Sequence, residues 1–63
     1  MTLEEAVKFL DLEKLGDIYR NKSGNYIHIL VKSVDIDTLA TLDGDFSLED
    51  VEAIAIIMKE AKR

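Results

Sequence analysis

The sequence predicts a small α+β domain of order α-β-β-β-α, an antiparallel meander sheet with the two terminal helices packed on one face, spanning residues 1–63. Three observations lead there. A capping pattern opens an apolar-periodic stretch at each end, strand-like alternation fills the middle, and Gly16, Gly24 and Gly44 stand where one pattern yields to the next.

Thr2 with Glu5 makes a capping box, and Leu3, Ala6, Val7 and Leu10 follow at i, i+3, i+4 and i+7, the spacing of a helix with one buried stripe. The first helix is expected to end near Leu15, with Gly16 taking the left-handed position after it. Phe9, Leu12 and Leu15 fall outside the stripe, so either the helix loosens after Asp11 or these side chains cover a neighbour.

From Asp17 the pattern becomes β. Asn21-Lys22-Ser23-Gly24 suits a type I turn followed by a left-handed glycine, which would pair Arg20 with Tyr26, Tyr19 with Ile27 and Ile18 with His28. Alternation then puts Tyr19, Ile27, Ile29 and Val31 on one face, nearly all core. Ile18, Arg20, Tyr26, His28, Leu30 and Lys32 share the other, a mixed face left open or covered by a partner. Residues 34–43 read as strand or short helix. Their β-branched content and the Asp43-Gly44 turn favour a third strand at 38–42, after a turn near 34–37.

The last helix, 47–62, is the most apolar segment. Ser47 is its N-cap with Asp50 at the third helical position, Phe46 staples onto Val51, and Lys59, Lys62 and Arg63 sit at its negative end. At about 100° per residue, Leu48, Val51, Ile54, Ala55, Met58 and Ala61 form the stripe expected to be buried. Ala53, Ile56 and Ile57 are left at its edge or opposite it, an apolar excess that invites a second covering surface.

Composition narrows the function. There is no Cys, so neither disulfides nor a cysteine metal site staples the fold, and a core of this size supplies only about 3–5 kcal/mol of net stability. Nearly half the residues (48%) are hydrophobic, which argues against disorder. Thirteen acidic against 8 basic residues give a net charge of −5, spread along the chain as a solvated surface, which disfavours general nucleic-acid binding. No apolar run approaches the ~18 residues of a membrane span and no signal-peptide pattern opens the chain, so a cytoplasmic protein away from the membrane is expected.

Catalytic and metal chemistry find no support. Counting a calcium loop from Asp43 places Leu48 and Ile54 where the glycine and the bidentate glutamate belong, and nothing nearby completes a ligand set for Asp35 and Asp37. His28 is the sole histidine and has no local nucleophile or carboxylate partner. No phosphate loop or dinucleotide fingerprint is present, and neither an enzyme nor a cofactor is expected.

Two readings remain. The first is a non-enzymatic interaction or regulatory accessory protein, of a size and composition that suit a phage or bacterial source. It would self-associate, most simply as a dimer, through Ala53, Ile56 and Ile57 or through Ile18, Tyr26 and Leu30, or meet a different protein there. The second is a small nucleic-acid-binding protein using Arg20, Lys22, Tyr26, His28 and Lys32 along the hairpin.

Overall fold

A computed structural model describes residues 1–22, 24–31 and 38–61. The elements are α1 (Leu3–Phe9), β1 (Leu12–Leu15), β2 (Ile18–Asn21), β3 (Tyr26–Leu30), β4 (Leu39–Asp43) and α2 (Leu48–Glu60). Strands β1 to β4 form one antiparallel meander in sequence order. The helices pack on each other, α1 also on β1 and α2 on β4. The α+β class and the meander are therefore as predicted, with one strand more.

Both helices start where their caps are written. Thr2 Oγ1 accepts from the Glu5 N–H at 3.1 Å while Glu5 Oε1 accepts from the Thr2 N–H at 2.7 Å. Ser47 and Asp50 repeat the exchange at 3.1 and 2.9 Å. Each box satisfies two groups that the first turn leaves without helical partners.

The extra strand replaces the second half of the expected first helix. That helix stops at Phe9, and Asp11 adopts φ 54, a left-handed conformation that turns the chain out of the helix. Leu12 then enters the core at 5% exposure, and the Lys22 N–H donates to the Asp11 carbonyl at 3.1 Å to extend the β1–β2 ladder. A helix continued to Leu15 would have left Leu12 off the buried stripe; a strand places it there. Gly16 does carry a positive φ, 61°, but as the first central residue of a two-residue hairpin between Leu15 and Ile18.

The β2–β3 register differs from the expected one by two residues: Ile18 faces Leu30, Tyr19 faces Ile29 and Arg20 faces His28. The longer loop is held by Asn21, whose Oδ1 accepts from the Ile27 N–H at 2.9 Å and whose Nδ2 donates to the Asn25 carbonyl. Because strand side chains alternate with period two, a two-residue shift leaves the faces intact. Tyr19, Ile27, Ile29 and Val31 are buried as anticipated. They join Ala6, Leu10, Leu12, Ala53, Ile54 and Ile57 in the core.

In α2 the buried side is rotated by roughly a quarter turn from the expected stripe at 100° per residue. Ala53, Ile54 and Ile57 are buried, whereas Leu48 (76% exposed), Val51 (48%) and Ala55 face solvent. Residues 53–58 offer apolar side chains in nearly every direction, so packing against α1 and the sheet decides the rotation. Ala6 of α1 and Ala53 of α2 are both fully buried in the core that the two packed helices share. The expected turn at 34–37, the Asp35 and Asp37 pair, and Lys62 and Arg63 lie outside the described residues.

Candidate interaction surface

With the helices on one side, the sheet's other side is an open face whose composition follows from strand register. Glu13, Arg20, His28 and Thr41 are successive cross-strand partners, and so are Leu15, Ile18, Leu30 and Leu39. A polar row and an aliphatic row thus run side by side across all four strands. In the aliphatic row Leu15 is 46% and Leu39 61% exposed, with Ile18 and Leu30 half-buried between them. Cross-strand partners lie about 4.5–5.5 Å apart at Cβ, close enough to make the row one continuous strip.

The polar row is largely satisfied within the chain. Arg20 Nε sits 3.1 Å from Glu13 Oε1, and Lys22 Nζ 3.7 Å from Asp11 Oδ1. Tyr26 and His28 stack with ring centroids 6.2 Å apart and planes 16° from parallel. Arg20, Lys22, Tyr26 and His28 border a shallow depression of about 420 Å³.

Of the residues singled out from sequence, Ile18 and Leu30 are brought face to face, while Tyr26 lies at the far end of β3. Ala53 and Ile57 are removed from any partner surface because both are fully buried inside the monomer, and Ile56 is half-buried against the core. Arg20, Lys22, Tyr26 and His28 do cluster; Lys32 lies outside the described residues. Leu15 and Leu39 complete the strip without a local sequence signal for it. Leu15 lay in the expected helix, and Leu39 belongs to the strip only through the β3–β4 register.

Among the described residues no group of acidic, His or Cys side chains could hold a metal ion, and no helix is long and apolar enough to cross a membrane. Compared with known proteins, the chain matches no family model, no curated protein and no solved structure.

Proposed function

We propose that this chain is a non-enzymatic interaction protein that self-associates through its open sheet face. The observation that carries the reading is the strip Leu15, Ile18, Leu30 and Leu39, an unbroken aliphatic row on the face opposite the helices. Stacking two such faces buries the strips against each other in the manner of a β-sandwich, with sheets about 10 Å apart. Each fully covered Leu or Ile contributes roughly 1.5–3 kcal/mol. That is large beside the net stability of a core this small.

Size sets the strength. The backbone spans 28 × 20 × 18 Å, and one face of so small a chain offers an interface at the low end of the roughly 800 Å² per partner of stable complexes, so the association is concentration-dependent. Sedimentation velocity over a concentration series tests it. Leu15→Glu should lower the solution mass with unchanged far-UV circular dichroism, whereas Val51→Glu on the exposed side of α2 should leave the mass unchanged. A wild-type protein that is monomeric at high micromolar concentration, or a mass that responds to Val51→Glu and not to Leu15→Glu, refutes the reading.

The nucleic-acid reading draws on the Tyr26 and His28 stack beside Arg20, a platform on which a base can lie. Pairing of Arg20 and Lys22 with Glu13 and Asp11 counts against it, since both cations already have carboxylate partners. Retention of labelled single-stranded RNA or DNA at low salt, weakened by Arg20→Ala and Lys22→Ala, would support it; no retention would end it.

A further inference from the structure

We propose that β4 is a pairing edge: two copies of this chain join through antiparallel pairing of their β4 strands about a two-fold axis at Thr41, making one continuous sheet. The inference goes beyond the open-face reading, because it uses the backbone edge of β4 and not the open face, and shares only Leu39 with the strip on that face.

It rests first on the contrast between the two edges. Among the described residues the sheet ends in β1 and β4. β1 carries Glu13 and Lys14 in its four residues; Glu13 is paired to Arg20, and the Lys14 ammonium lies 6.0 Å from the Tyr19 ring centre. Charged side chains on a short strand protect an edge from further pairing. β4 reads Leu-Ala-Thr-Leu before its first charge at Asp43 and contains neither Gly nor Pro. Such an edge is open to another strand.

The sequence of β4 also selects the occupant. Pairing all five residues of β4 with their counterparts places Thr41 beside the partner's Thr41, a cross-strand pair that is favourable in sheets. Ala40 then lies opposite the partner's Leu42. Both positions belong to the helix-covered side, so the alternation of faces is kept across the junction. Leu42 is on that side yet 40% exposed, because the sheet stops there. A continued sheet covers it.

Charge fixes the direction. Parallel pairing would line Asp43 against the partner's Asp43 in a chain of net charge −5. Antiparallel pairing separates them by four residues, about 13 Å along the strand, beyond the ~8 Å Debye length at physiological salt.

Since the chain has no Cys, Thr41→Cys supplies a single thiol, exposed on the open face. With oxidised glutathione accepting the two electrons, a disulfide dimer should form at least about ten-fold faster than for Glu52→Cys, an exposed control on α2, because Cα atoms of facing strand residues fall within disulfide reach. Equal rates would overturn the proposal. Thr41→Lys and Thr41→Glu should each weaken self-association, and an equimolar mixture should recover a heterodimer in native mass spectrometry; a mixture that stays monomeric would also overturn it. Adding Leu15→Glu should leave cross-linking of the Thr41→Cys chain unchanged. Cross-linking lost with Leu15→Glu would refute β4 as an interface of its own, whereas failure of cross-linking alone leaves the open-face reading standing.

Discussion

The carboxamide of Asn25 lies across Gly44: a Cβ at residue 44 would meet Asn25 Oδ1 at 2.7 Å and Cγ at 2.8 Å. From the same side chain Nδ2 donates to the Asp45 carbonyl, tying the loop after β2 to the connection between β4 and α2. Gly44 also has φ 129, which side chains rarely adopt. Gly44→Ala should therefore cost about 1–3 kcal/mol, seen as a lower melting temperature by circular dichroism. Combining it with Asn25→Ala removes the two shortest contacts and leaves only that to the residue 25 Cβ at 3.2 Å, so the double variant should lose less than the sum of the singles.

The rotation of α2 has an opposite pair of consequences in urea denaturation. Ile57→Ala removes a fully buried side chain and should cost roughly 2–5 kcal/mol, as much as the core supplies in total, leaving the variant largely unfolded. Leu48→Gln, at a position 76% exposed, should stay within about 0.5 kcal/mol of wild type.

At Asp11 the backbone conformation matters more than the charge. Asp11→Val should lose about 1–2 kcal/mol through the left-handed φ of 54, and Asp11→Gly should be tolerated although it deletes the partner of Lys22. Both members of that ion pair are more than half exposed, where such contacts contribute little. Midpoints of urea unfolding for the two variants separate these effects.

The first cap carries a small pH dependence. Hydrogen bonds from the Thr2 backbone N–H, and then from its hydroxyl, hold the Glu5 carboxyl below its ordinary value of 4.5. A depressed folded value means that its contribution is complete above the unfolded value and is lost as pH falls through the folded one. Wild type should lose its advantage over Glu5→Gln as pH drops below 4.5, measured as the difference between their melting temperatures.

The parts legible in the sequence are those decided over a few residues. Thr2 with Glu5 and Ser47 with Asp50 are three residues apart, and no distant packing interferes with either exchange. The face holding Tyr19, Ile27, Ile29 and Val31 was readable because its alternation survives a shift of two residues. β1 was not: Leu12 and Leu15 are spaced as on a helix, and the residue that breaks the helix is Asp11 rather than a glycine. Nor could the local pattern orient α2, since Ala53, Ile54, Ile56 and Ile57 surround the axis and α1 selects among them. The same division runs through the candidate surface. Ile18 and Leu30 were visible as apolar residues on an open face, but Leu15 and Leu39 become their neighbours only once β1 and β4 are in register.

The contact between α1 and α2 also sets the longest loop that folding has to close. Every strand of the meander pairs with the strand made just before it, so the sheet needs only short loop closures, the kind that form fastest. The helix pair instead joins the first element to the last. Until α2 docks, α1 alone covers the core face of the sheet, which lacks Ala53, Ile54 and Ile57. The contact that closes the core is thus the one with the longest loop to close.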